Sequence, residues 1–246
     1  MSAAPVVHFE TVISTMAEMA EMLATGTVEP WTAIIADYQI QGRGRANRSW
    51  HAPSGSALLT TIYAPIEIDT SRIGMLAIAA GLAVAEAVAD LGVSARLKWP
   101  NDVLVNDCKL AGILISTRIG ARIDALIGIG LNLTSASPGA VALNDLCAVT
   151  PPTMDLLDAI RDQLMGWCAN LDRGHFNEVR NHWTELAAWT GEVVTVPGDE
   201  SLTGTLVGVD EWGRLVIRTT DGEILLGQSE IARGPIPAGS ASYTLG

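Results

Sequence analysis

Polar and apolar positions along the chain repeat with two different periods, and the switches between them mark its organisation. Between residues 14 and 23, Met16, Met19, Ala20 and Leu23 form an apolar stripe at helical spacing. Thr15 and Glu18 have the spacing of a capping box, so an opening helix capped by Thr15 is predicted. Two runs rich in apolar and β-favouring residues, 33–38 and 57–63, predict strands on either side of a glycine- and arginine-rich loop. The Ala-rich stretch 71–91 is apolar over most of its surface, which predicts a buried helix ending before Gly92. Short strands are predicted at 96–98, 103–105, 110–116 and 123–131, a loop at 134–149, and helices at 154–171 and 177–189.

After Gly191 the texture changes to short β-type runs at 193–196, 202–209, 215–219 and 224–226. Pro197-Gly198, the segment from Asp210 to Gly213, and Asp221-Gly222 separate them, the last being a hairpin signal. The expected fold class is therefore α+β. It comprises a larger mixed domain over 1–189, a small β-barrel over 190–234, and a flexible tail of linker composition over 235–246.

Composition narrows the setting. Cys108, Cys147 and Cys168 form no C-x-x-C pair, which fits neither a disulfide framework nor a zinc site and suits a reducing cytoplasm. The first residues lack the basic and apolar regions of a secretory signal. The longest uncharged apolar run, 73–85, falls short of the roughly 20 residues that span a bilayer, so a soluble, cytoplasmic protein without a membrane partner is expected. A net charge of -12 argues against broad attraction to nucleic acid, and any cationic site must be local. Arginines number 13 and lysines only 2, and both lysines, Lys98 and Lys109, fall in one short stretch.

Three segments carry candidate chemistry. In QIQGRGRANRSW, Gln39 to Trp50, the guanidinium groups of Arg43, Arg45 and Arg48 repel one another beside Gly42 and Gly44. Glycine lets backbone approach a ligand, and guanidinium forks match phosphate or carboxylate oxygens, while Trp50 offers an apolar wall. A solvated basic loop or a nucleic-acid contact fits the same composition equally well. The second segment runs from KWPND, Lys98 to Asp102, into KLAGIL, Lys109 to Leu114. Asn101 and Asp102 are suited to orienting a nucleotide or Mg²⁺, though Asn-Asp is also a plain turn signal. Lys109 opens a strand from which an ammonium could neutralise a carboxylate and attract a phosphate together, with Gly112 leaving room beside it. The third is GIGLN, where Gly128 and Gly130 clear one strand face and Asn132 could read polar ligand atoms. No P-loop, G-x-S-x-G elbow or H-E-x-x-H helix occurs, and His175 and His182 have no further ligand spacing.

Taken in order, Ser14-Thr15, G-R-G-R-x-x-R-x-W from Gly42 to Trp50, KWPND, KLAGIL and GIGLN resemble the catalytic domain of bacterial biotin protein ligases. The final β segment resembles their SH3-like domain. That resemblance implies a mixed sheet with helices, similar to class II aminoacyl-tRNA synthetases, and the SH3-like barrel behind it. It also implies a two-step reaction, in which biotin attacks ATP to give biotinyl-5′-AMP and a carrier lysine then takes the biotin. By this likeness Ser14, Thr15, Gln39, Gly42, Arg43, Gly44, Trp50, Lys109, Gly112, Gly128 and Gly130 surround biotin. Arg45, Arg48, Lys98, Asn101, Asp102 and Asn132 serve the adenylate. Lys109, Arg43 and Asp102 carry the chemistry, Asp102 with Mg²⁺.

The implied partner is the biotin carboxyl carrier domain of an acetyl-CoA or acyl-CoA carboxylase, with monomer and homodimer both open. The family usually has Asn directly after Ser-Thr, and Met16 stands there instead, removing a polar group near the biotin head. Catalytic-domain sequence begins close to the first residue, so neither DNA binding nor transcriptional repression is expected. A lipoate ligase or octanoyl transferase shares the fold without the arginine loop. A non-catalytic nucleic-acid-binding module is disfavoured by the charge.

Overall fold

Strand pairing divides the chain into two sheets. In the computed structural model, which describes residues 4–26, 28–197, 202–227 and 231–233, the larger sheet is built from β1 (Val6–Val12), β2 (Ala33–Gln39), β3 (Ala57–Ile66), β4 (Arg96–Lys98), β5 (Asp102–Val105), β6 (Cys108–Ile119) and β7 (Ile123–Asn132). Their order is β1-β2-β3-β7-β6-β5-β4. Only β1 and β2 run parallel, so the sheet is mixed.

The strands sort their side chains by face. On β7, Ile127, Ile129 and Leu131 enter the main core with Leu58 and Ile62 of β3 and Ile113 of β6. That face is covered by α2 (Gly74–Ala89) and α3 (Thr153–Asp172), with α4 (Phe176–Leu186) packed beside them. Alternation puts Gly128, Gly130 and Asn132 on the opposite face. There α1 (Thr15–Thr25) covers only part of the sheet, through Met19 against Tyr63 and Leu126. The uncovered remainder, floored by glycine instead of leucine, is concave.

One irregularity redirects a strand. Asp102 pairs with Gly112 and Val103 with Ala111, but Leu104 pairs with Lys109, so Leu110 is an extra residue in β6. This bulge puts Lys109 on the same face as Gly112 and Asp102, where an unbroken pleat would place Leu110.

The smaller sheet is antiparallel and comprises β8 (Val193–Val196), β9 (Leu202–Val209), β10 (Leu215–Thr219), β11 (Gly222–Leu226) and β12 (Ala232–Arg233) in the order β11-β10-β9-β8-β12. The expected hairpin at Asp221-Gly222 joins β10 to β11. The predicted tail 235–246 and Gly198 of the Pro197-Gly198 turn lie outside the described residues.

Three expectations differ from the structure. No strand is expected ahead of the opening helix, yet β1 forms there: Val7 and Phe9 alternate with His8 and Glu10, and its edge position leaves it without a strong apolar run. The helix predicted at 177–189 stops at Leu186, because Ala188 donates its N–H to the Leu97 carbonyl and Trp189 takes φ +67°. Thr15 is not a cap: Ser14 holds the N-cap position without a side-chain capping bond, and Thr15 is the first helical residue with its hydroxyl turned inward.

Candidate active site

The concave face is a single cavity between the start of α1, the loop after β2, and the β3–β7–β6 surface. At one end, Gln39 Oε1 accepts from the Thr15 backbone N–H at 2.8 Å and from the Thr15 hydroxyl at 3.2 Å. Thr15 Oγ1 also lies 2.9 Å from Thr61 Oγ1 of β3. Helix start, β2 and β3 thus present one polar cluster of fixed geometry, with Ser14 beside it in the lining. Met16 faces the same space, and its methyl would stand 2.9 Å from a Cβ at Gly128.

The middle is defined by Trp50. Its ring lies directly on Gly130, where an added Cβ would meet the indole at 2.5–2.9 Å, and its edge lies 3.0 Å from a Cβ at Gly112. The indole therefore occupies the face that the two glycines clear. Among the described residues its buried Nε1–H has no hydrogen-bond partner. Gly42 fixes the root of this loop: its carbonyl accepts from the Trp50 N–H at 2.9 Å, and a Cβ at Gly42 would collide with the Trp50 carbonyl.

At the other end Lys109 Nζ contacts Asp102 Oδ1 at 2.6 Å and lies 5.5 Å from the Trp50 ring centroid. Arg43, Arg45 and Arg48 complete the wall, and Gly44 N–H bonds to the Arg48 carbonyl, folding the loop back on itself. Burial lowers the Arg45 pKa, against the pull of Asp102 and with further lowering from Arg48. Among the residues lining the cavity, four cations face one carboxylate, Asp102. An acidic protein thus holds a local site for anions.

The lining brings together Ser14, Thr15, Gln39, Arg43, Gly44, Arg45, Arg48, Trp50, Asn101, Asp102, Lys109, Gly112, Gly128 and Gly130. Three predicted site residues lie behind it. Gly42 shapes the loop as described. Asn132 is 6% exposed and donates its amide N–H groups to the carbonyls of Lys109 and Val141, bracing the bulge. Lys98 packs with Nζ 5.6 Å from the Trp189 ring centroid. Asn101 lines the cavity but also donates to the Ile113 carbonyl at 2.8 Å. Sequence reasoning missed Ser49, Thr60, Thr61 and Leu114. Only strand register, which pairs Thr61 with Gly128, brings Thr61 to the site.

Among the described residues no group of three or more His, Cys, Asp or Glu could hold a metal by itself. No helix among them is long and apolar enough to cross a membrane.

Known proteins resemble this chain in sequence and in fold. Residues 9–132 match the biotin/lipoate A/B protein ligase family, and residues 190–242 match the biotin protein ligase C terminal domain. The biotin--[acetyl-CoA-carboxylase] ligase of Paracoccus denitrificans is 33% identical over 236 residues, covering 90% of this chain and 97% of its own length. The enzyme of the same name from Mycobacterium tuberculosis is 31% identical, covering 83% of this chain and 79% of its own. The structure of the Aquifex aeolicus biotin protein ligase in complex with biotin and ATP superposes with a TM-score of 0.78 over 94% of this chain, at 24% identity.

Proposed function

The chain belongs to the biotin protein ligases, and from that premise we propose that the cavity between α1 and the β3–β7–β6 face is where biotin is activated and biotinyl-5′-AMP is held. The observation that carries the assignment is the Lys109–Asp102 pair at the end of a glycine-floored track, facing three arginines.

The enzyme activates biotin with ATP and transfers it to a protein lysine. In the first step a biotin carboxylate oxygen bonds to the α-phosphorus of ATP while the bond to pyrophosphate breaks. In the second, a lysine amine of the carrier attacks the acyl carbon, AMP leaves, and the amine gives up a proton. Two anions must meet in the first step, so the chain's task is to neutralise and align them. Thr15, Gln39 and Ser14 take the ureido end, since their clustered hydroxyls and amide suit a group that both donates and accepts. The valeryl chain runs over Gly128 and Gly130, and Lys109 stands where carboxylate and α-phosphate meet, with Arg43 beside it. Arg45 and Arg48 face the phosphates. Trp50 leaves its place on Gly130 and Gly112 as ligand enters and becomes a lid over it.

Asp102 is the residue to hold Mg²⁺. A lone carboxylate fits this ion, which commonly takes one or two carboxylates and completes its shell with phosphates and water, and which would supply charge neutralisation on the phosphates. The carrier is the biotinyl domain of an acetyl-CoA or related carboxylase, in keeping with the names of the relatives. Residues 1–189 form the catalytic domain and 190–234 the C-terminal one.

Biotin-dependent exchange of pyrophosphate into ATP tests the assignment. Wild-type protein is expected to be active. Lys109→Ala is expected to lose about 100-fold or more with its melting temperature retained, the scale of removing one preorganised charge-stabilising group. Undiminished exchange in Lys109→Ala would take the lysine out of the mechanism.

A further inference from the structure

One register row crosses the cavity floor beside the start of α1. Thr61 of β3 pairs with Gly128 of β7, and Gly128 pairs with Leu114 of β6. All three line the cavity, so its floor passes from hydroxyl to bare backbone to isobutyl within roughly 10 Å, two strand spacings. Met16 adds its methyl above the middle of the row. The floor is thus polar on one side and apolar on the other.

The hydrogens of the polar side run in one direction. The Thr15 backbone N–H donates to the Gln39 side chain, so the atom facing it is Oε1 and the amide nitrogen is left for other partners. The Thr15 hydroxyl spends its single hydrogen on the same oxygen. Thr15 Oγ1 is therefore the acceptor in its 2.9 Å contact with Thr61 Oγ1, and Thr61 is the donor. Thr61 is 0% exposed, and a buried hydroxyl hydrogen needs such a partner. What the Thr61 oxygen has left is a lone pair. Gly128 leaves it a path into the cavity, since a Cβ there would stand 3.7 Å from Thr61 Oγ1.

The head group of biotin is a cyclic urea fused to a thioether ring, with one carbonyl, two N–H groups and one apolar edge. Building on the ligase reading above, we infer that Thr61 is a specificity-determining residue for this head group: its oxygen accepts one ureido N–H, while Gln39 Nε2 donates to the ureido carbonyl and the thioether ring lies toward Leu114 and Met16. Thr61 offers the ligand an acceptor and no donor, because its hydrogen is committed to Thr15. A head group that places an acceptor there meets lone pair against lone pair and is rejected.

Coupling between ligand and residue tests this. Kd is measured by calorimetry for biotin and for its two cyclic-carbamate analogues, each with one ureido N–H replaced by oxygen, on wild type, Thr61→Val and Thr61→Ser. Weak analogues are measured in competition with biotin. Thr61→Val is expected to bind biotin about tenfold more weakly, the scale of one hydrogen bond with a buried group left unsatisfied, and Thr61→Ser to restore affinity to within about threefold of wild type. For one of the two analogues, the penalty relative to biotin is expected to be about tenfold smaller in Thr61→Val than in wild type, since the valine has no lone pair to oppose. KM for ATP in pyrophosphate exchange stays within about twofold, which a general loosening of β3 would not allow. Equal penalties in wild type and Thr61→Val for both analogues overturn the inference, as does a KM for ATP that rises in step with biotin Kd. If Thr61→Val does not fold, Thr61→Ala takes its place in the same comparison. A wild-type chain inactive in exchange overturns the ligase reading and this inference with it.

Discussion

Met16 reaches the floor of the cavity with its terminal methyl against Gly128, at the position where the family resemblance leads one to expect asparagine. The contact exchanges a polar group for flexible apolar surface beside the polar cluster of Thr15, Gln39 and Thr61. Met16→Ala would strip that surface from the ring-binding end, and losing burial of two or three methylene-sized groups is worth about 1–2 kcal/mol. Biotin is therefore expected to bind about tenfold more weakly to Met16→Ala by calorimetry, with KM for ATP unchanged. The residue scale was the most legible part of the site in the sequence, because Arg43, Trp50, Lys109 and the glycines of GIGLN are unusual in this composition and sit in recognisable order. Legibility failed where a residue's partner is remote in sequence. The bonds from the Asn132 amide to the Val141 and Lys109 carbonyls join segments that the sequence does not mark as neighbours, and Thr61 has no signal apart from its register with Gly128.

Among the elements, β4 shows how a short strand can couple stability to charge. Its Lys98 is partly buried beside Trp189. That burial lowers its pKa below the usual 10.5 despite the attraction of Asp102, with Lys109 and Arg48 lowering it further. Between the lowered folded value and the unfolded value, the unfolded chain binds more protons, so stability rises with pH in that window. Lys98 thus opposes folding at neutral pH. Lys98→Met is expected to melt higher than wild type at pH 7, and the difference should shrink at pH 10, where the lysine has begun to lose its proton. Melts at both values check the sign. Most elements could be read from period alone, since long strands such as β7 and the Ala-rich α2 state their faces plainly. The end of α4 could not, because Ala187 and Ala188 favour helix locally and leave it only to pair with Leu97.

At the scale of the whole molecule, the two sheets meet through side chains that sequence reading had assigned to turns and helix starts. Arg72 donates to the Glu211 carbonyl at 2.9 Å and to its carboxylate at 2.7 Å, and its guanidinium lies 4.0 Å from the Phe176 ring centroid. One residue thereby joins the start of α2, the start of α4 and the β9–β10 turn. Hydrogen bonds to charged groups contribute about 1.5–3 kcal/mol, so Arg72→Ala should melt roughly 5 °C lower by calorimetry, given the 2–4 °C per kcal/mol usual at this chain length. The division into a mixed domain and a β-rich one was visible as a change of texture after Gly191. The joints were not, because turn residues such as Gly213 look alike whether they face solvent or another backbone.

The extra residue in β6 has an evolutionary corollary. Since the bulge at Leu110 sets which side of the sheet Lys109 faces, a descendant that kept every letter of KWPND and K-L-A-G-I-L but paired these two strands without the bulge would turn its lysine toward α2 and away from the arginines. Such a lineage would keep the signature of the enzyme while losing its chemistry. The pairing of Asp102 with Gly112 is thus as much a heritable trait as either residue.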